Sequence, residues 1–237
     1  MLAIRSALFN ASFWFISCAL AVLGLPLLPF PPGIRLLYRF WGWLTLGLLR
    51  SFCGIRGEIR GKQFVLPSPA IYAVKHQSAW DIFILLRALD APLFVLKREL
   101  TWIPLFGLYL TRLRMISIDR SKGPRMLRRL IPAVKQGLKE GHPVVIFPEG
   151  TRKPPRAPAE YLPGIAALYT QLHVPVVPVA LNSGLLWGRN AFVKRPGVAV
   201  IEFLPAIAPG LNRHEFMQTL QQALESATTR LLAESQL

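Results

Sequence analysis

The chain has 237 residues, enough for one globular domain of ordinary size and an appendage. Hydrophobic residues make up 52% of it and its mean hydropathy is +0.39, which argues against a wholly water-soluble protein and places part of the chain in lipid. The net charge of +16 calls for an anionic partner: nucleic acid, anionic lipid or a phosphorylated substrate.

The first element is an uncharged run from Ser6 to Ile34. Its core, Leu8–Phe30, has the length of a bilayer-spanning helix, roughly 20 residues. A cleaved signal peptide fits it poorly, because the run is too long and no clean A-x-A site follows. Pro26, Pro29, Pro31, Pro32 and Gly33 stop this helix. A second apolar stretch, Ile34–Gly54, carries Arg35, Arg39 and Arg50 among Tyr38, Trp41 and Trp43. That mixture suits a helix lying at the headgroup level of a membrane. Two arrangements stay open, a hairpin entering one leaflet or a span followed by an interfacial helix. Residues 1–56 are therefore expected to form a membrane-associated helical hairpin and residues 57–237 the main domain.

Beyond residue 60 short apolar runs alternate with amphipathic segments. Ala70–Lys75, Leu93–Lys97, Met115–Asp119, Val144–Phe147, Val176–Leu181 and Val198–Leu204 read as strands, several of them buried on both faces. Between Gly123 and Glu140 a helix is expected, with Leu127, Leu130, Ile131, Val134 and Leu138 on one stripe. A last helix starts near Asn212, with Glu215 as its capping-box partner. Strands alternating with helices predict an α/β domain with a central mixed sheet flanked by helices. Residues 97–156 hold 14 lysines and arginines against 4 acidic residues, a concentration that points to an anion-facing surface.

Two local patterns carry chemistry. In Lys75–Asp81 (KHQSAWD), His76 and Asp81 lie five residues apart. On an ideal helix that spacing sets side chains about 140° apart, and on a strand it sets them on opposite faces. Only a strand-to-helix corner pairs them. There an aspartate holds one imidazole nitrogen and leaves the other free as a base. The plainer alternative is a polar cap beside an incidental histidine. In Val144–Arg156 (VVIFPEGTRKPPR) a buried strand runs into a turn. Gly150 permits close approach of backbone, Thr151 offers a hydroxyl, and Arg152 a planar fork suited to phosphate oxygens. Here the alternative is a turn closed by a Glu149–Arg152 ion pair.

There is no GxSxG elbow, Walker A loop or GxGxxG fingerprint, so a serine hydrolase, a P-loop hydrolase and a dehydrogenase are poorly supported. Cys18 and Cys53 form no CxxC, and His76, His142, His173 and His214 have no zinc-site spacing. No disulfide framework and no metal are expected. A nucleic-acid reading expects aromatic stacking residues in the basic patch, and Arg112–Lys139 contains none.

Together these segments resemble the glycerophospholipid acyltransferase family. Its HX4D motif is similar to His76–Asp81, and its FPEGTR motif to Phe147–Arg152. A basic KxEL block followed by an isoleucine-aspartate-arginine run looks like Lys97–Leu100 with Ile118, Asp119 and Arg120, and an apolar block with a central proline looks like Val174–Val179. The four occur in the family's order. Two positions depart: Lys75 stands where many members have asparagine, and Leu162-Pro163 precede Gly164 where a lysine is often found. The resemblance implies an α/β acyltransferase domain on a two-helix membrane anchor, at the cytoplasmic face of a bacterial inner membrane. It implies His76 as general base oriented by Asp81. Glu149, Gly150 and Arg120 are implied in acceptor binding, with Thr151 beside them and Lys97 and Arg152 near the phosphate. It further implies acyl-CoA or acyl carrier protein as donor, lysophosphatidic acid as acceptor, and no other cofactor. Backbone amides near His76 are the expected oxyanion donors. Another lysophospholipid, a lyso-ornithine lipid or glycerol 3-phosphate would suit the same dyad. A non-catalytic lipid-binding protein is the rival of a different class.

Overall fold

The computed structural model describes residues 1–67, 69–119, 123 and 125–235. Helix α1 spans Leu2–Leu23 and ends at Gly24, where Leu25–Leu27 form one 3-10 turn around Pro26. Helix α2, Pro31–Leu48, starts on two prolines behind an extended Phe30. Proline is suited to that place, since its fixed φ is already helical and its missing N–H would have no partner there. A π-turn, Leu49–Cys53, ends at Gly54, whose φ of 69° lets the chain leave the helix without a Cβ clash. α1 is long and apolar enough to cross a membrane, and only 11% of its apolar window is buried. The two helices are pinned to each other where Trp41 Nε1 donates to Ser17 Oγ at 2.9 Å.

The domain is built on a mixed sheet of seven strands: β1 Ile55–Arg60, β2 Ile71–Val74, β3 Leu93–Lys97, β4 Ile116–Ile118, β5 Val144–Ile146, β6 Val176–Leu181 and β7 Gly197–Phe203. Their order is β1-β7-β6-β2-β5-β3-β4. From β6 to β4 every pair is parallel; β7 runs antiparallel to β6, and β1 parallel to β7. The six strands read from the sequence are present. β1 is an addition, and its first two residues, Ile55 and Arg56, lie inside the stretch assigned to the hairpin. Its sequence, IRGEIR, lacks the apolar run of a central strand because it closes the sheet edge and keeps Arg56, Gly57 and Glu58 exposed.

Period-2 alternation divides the core between the two faces of the sheet. In β2, Tyr72 and Val74 pack with Trp80, Ile84 and Leu85 of α3, Trp80–Ala88. Ile71 and Ala73 face the other way, with Leu130 and Val134 of α5 (Leu127–Lys139), Ile165 and Leu168 of α6 (Gly164–Leu172), and Phe216, Leu220 and Leu224 of α7 (Arg213–Glu234). Each such leucine or isoleucine contributes about 1.5–3 kcal/mol by leaving water. A short helix, α4, covers Phe106–Arg112. α5 begins at Leu127, later than the stripe from Gly123 predicts. α7 begins on the expected capping box: Asn212 accepts from the amides of His214 and Glu215, and the Glu215 carboxylate accepts from Asn212 N–H at 3.1 Å.

The parallel strands point their carboxyl ends in one direction. β2 delivers His76 there, β5 delivers Phe147–Arg152, β6 delivers Asn182–Gly184, and β3 ends on Lys97. Open α/β sheets place their ligand sites at this edge.

Candidate active site

The corner after β2 pairs the two residues that no regular element could. His76 Nδ1 lies 2.9 Å from Asp81 Oδ2, with Asp81 in the first turn of α3. The Asp81 side chain is wholly buried. Oδ2 also accepts from the amides of Gln77 and Ser78, each at 2.9 Å, and Oδ1 accepts from Ser183 Oγ at 2.5 Å. A carboxylate that already accepts from three donors takes the imidazole as a fourth. Nδ1–H therefore donates, and Nε2 keeps its lone pair. The imidazole stacks on Phe147 with ring centres 3.9 Å apart, which fixes its plane and covers one face.

Two of these contacts link segments far apart in sequence. Ser183 and Gly184 follow β6, and Gly184 N–H donates to Gln77 Oε1 at 3.0 Å. A Cβ on Gly184 would stand 2.8 Å from Pro155 Cγ and 2.9 Å from Gln77 Cβ. The loop after β6 thus touches both the histidine corner and the turn after β5. Neither Ser183 nor Gly184 was expected from the sequence, and their only signal was a place just past the apolar block of β6.

The turn after β5 grips the histidine from both sides. Glu149 Oε2 accepts from His76 N–H at 2.8 Å, and Lys153 N–H donates to His76 O at 2.8 Å. Gly150, with φ of 68°, folds the turn back so that its N–H reaches Phe147 O. Glu149 Oε1 is paired with Lys75 Nζ at 2.9 Å, and the Glu149 side chain is only 1% exposed. Both its oxygens are occupied in holding the turn, and among the described residues it makes no pair with Arg152. The amides of residues 76–78 are all spent on Glu149 and Asp81. Of the backbone amides near His76 expected as oxyanion donors, these three already have acceptors.

Thr151 and Arg152 are half-buried, and among the described residues neither side chain has a hydrogen-bond or ion-pair partner. Burial, and then neighbouring Arg189, push the Arg152 guanidinium below its ordinary range, while Asp81 acts to raise it. Arg152 therefore stands within electrostatic reach of both Arg189 and Asp81, and among the described residues neither arginine makes an ion pair. Arg189 was missed because it lies in the exposed loop between β6 and β7, outside any motif. Lys97 is exposed at the end of β3, and its neighbour Arg98 reaches Asp119 at 3.5 Å. Arg120 lies outside the described residues. Among those residues no group of three or more metal-ligating side chains converges.

A nearly all-apolar cavity of about 360 Å³ opens between α1, α2 and the segment leading into α4. Trp14, Leu20, Leu37, Trp41, Phe106 and Tyr109 are among its walls; His76 is not. Its size and lining are those of a site for an apolar ligand.

A family model described as Acyltransferase matches residues 56–182. The chain is 34% identical over 209 residues to a 1-acyl-sn-glycerol-3-phosphate acyltransferase of Pseudomonas aeruginosa, covering 88% of this chain and 81% of that protein. It is 31% identical over 142 residues to the human 1-acyl-sn-glycerol-3-phosphate acyltransferase alpha, covering 59% of this chain and 50% of the human protein. The crystal structure of the 1-acyl-sn-glycerophosphate acyltransferase PlsC from Thermotoga maritima superposes with a TM-score of 0.80 over 98% of each chain at 22% identity, which shows the same fold.

Proposed function

The chain belongs to the acyltransferase family, and from that premise we propose that it moves a fatty acyl group from a thioester donor to the sn-2 hydroxyl of 1-acyl-sn-glycerol 3-phosphate, giving phosphatidic acid. The observation that carries this reading is the His76–Asp81 pair with Nε2 free beside the unpaired Arg152.

His76 Nε2 takes the proton of the acceptor hydroxyl as its oxygen attacks the thioester carbonyl. The carbon–oxygen bond forms, the carbon–sulfur bond breaks, and the thiolate leaves with the electron pair of that bond. A thiol of pKa about 8.5 is a good leaving group, so no covalent enzyme intermediate is needed. Asp81 holds the imidazole in the productive tautomer and stabilises its charged form. Arg152 and Arg189 clamp the acceptor phosphate, with Lys97 at the rim, and Arg189 takes the part that a lysine before Gly164 plays in many relatives. Thr151 Oγ1, free of internal partners, reaches the same ligand. The donor is acyl-CoA or acyl carrier protein, no further cofactor takes part, and an acyl chain lies in the apolar cavity against α1 and α2. The exposed apolar face of those helices brings the site to the cytoplasmic surface of a membrane, where both lipids reside.

The test supplies the purified protein with lysophosphatidic acid, other lysophospholipids, lyso-ornithine lipid and glycerol 3-phosphate, each with acyl-CoA and with acyl carrier protein, and identifies products by mass. Phosphatidic acid is the expected principal product. A neutral lysolipid acylated at least as fast as lysophosphatidic acid contradicts the proposed acceptor.

A further inference from the structure

Lys75 interrupts an otherwise apolar pattern. Alternation along β2 sets it on the same face as Ile71 and Ala73, beneath α7. Its side chain is only 4% exposed, yet it carries an ammonium group. Nζ lies 2.9 Å from Glu149 Oε1 and 2.8 Å from Glu225 Oε1, and it sits 5.5 Å from the centre of the Tyr161 ring. Tyr161 OH donates to the same Glu225 oxygen. One buried cation thus joins the turn after β5, the segment just before α6, and the middle of α7.

A buried charge is expensive to desolvate, and packing alone would be served better by an apolar residue. What this charge does is visible in what its partners hold. Glu149 accepts from His76 N–H, Lys153 N–H donates to His76 O, and Leu162 N–H donates to Pro148 O. Residues 147–163 form a loop whose start is fixed by Glu149 and whose end is fixed by Tyr161. Both anchors converge on the Lys75–Glu225 pair. The same loop carries Thr151 and Arg152.

We propose that Lys75 is a positioning residue of the catalytic centre: through Glu149 and Glu225 it sets the 147–163 loop against His76 and ties that loop to α7. The effect on catalysis rests on the acyl-transfer reading; the effect on the loop does not.

The test uses the full chain in detergent, comparing Lys75→Met, Glu225→Gln and the pair Lys75→Met/Glu149→Gln with wild type. Turnover is followed with lysophosphatidic acid and acyl-CoA, and local opening by amide hydrogen exchange. Lys75→Met should lower kcat about tenfold or more, with a smaller change in acceptor KM. It should also speed exchange in peptides holding His76 and residues 149–163. Glu225→Gln, at a half-exposed helix position, keeps the fold and shows the same changes more weakly. The paired variant should regain only part of the lost turnover: the carboxylate at position 149 is no longer buried without its cation and the amide oxygen there still accepts from His76 N–H, but the tie to Glu225 stays broken. Unchanged exchange in both segments in Lys75→Met, or in Glu225→Gln should Lys75→Met fail to fold, overturns the proposal. So does a Lys75→Met turnover within about twofold of wild type. Should wild type turn over no acceptor while exchange still responds, the acyl-transfer reading fails and the positioning role stands on the exchange alone.

Discussion

Among the described residues Ser183 supplies the one donor to Asp81 Oδ1, and its removal leaves a buried carboxylate oxygen without it. A hydrogen bond to a charged group contributes about 1.5–3 kcal/mol, so Ser183→Ala is expected to lose stability of that order and to lower kcat with acceptor KM nearly unchanged. Thermal melting and steady-state kinetics check both halves. The arginines belong to the opposite kinetic class. Arg152→Ala and Arg189→Ala should each raise the KM for a phosphorylated acceptor about tenfold or more while sparing kcat. The double variant should stop discriminating between phosphorylated and neutral lysolipids in a competition assay. The motif residues His76, Asp81, Glu149 and Arg152 were readable in the sequence because a corner and a turn are local events. Ser183 was not, since it reaches Asp81 across 102 residues and no periodicity reports a tertiary approach of that kind. Glu149 was readable as important but not in its employment, which depends on the buried partner Lys75.

The N-terminal helices are joined to the catalytic domain by a specific device. Lys194, in the loop before β7, is buried; its Nζ donates to Asn10 Oδ1 at 2.6 Å and to Phe192 O at 2.9 Å, and its amide donates to Ser6 Oγ. The ammonium also lies about 5 Å from the ring centres of Phe9 and Trp187. Burial pushes this lysine below its ordinary range. Lys194→Met should therefore loosen α1 while leaving the sheet intact, costing about 1–3 kcal/mol in melting experiments and exposing the α1 junction to limited proteolysis. Most strands and the long helices could be read from apolar runs and caps. β1 could not, because an edge strand with Arg56, Gly57 and Glu58 outward carries no apolar pattern. The latch was equally hidden, because its parts lie 184 residues apart.

At the scale of the molecule, an apolar helix surface and a strongly basic domain are joined in one body. Trp14, Phe15, Leu23, Phe30, Leu36 and Trp43 are exposed on α1, α2 and the turn between them. Binding to phosphatidylcholine vesicles should rise when phosphatidylglycerol is added. High salt should remove that increment but not the rest, since salt screens charge and not apolar burial. A flotation assay reads both. Strand order was not legible in the sequence, because β2 pairs with β5 and β6 across crossovers that leave no local trace. That order brings His76, Arg152 and Ser183 to one edge of the sheet. The account stands or falls on the histidine at that edge. The most direct test is the acyl-transfer rate of purified His76→Ala on lysophosphatidic acid: a loss of about 10²–10⁴-fold in kcat with the fold unchanged is expected, and turnover near that of wild type would contradict the account.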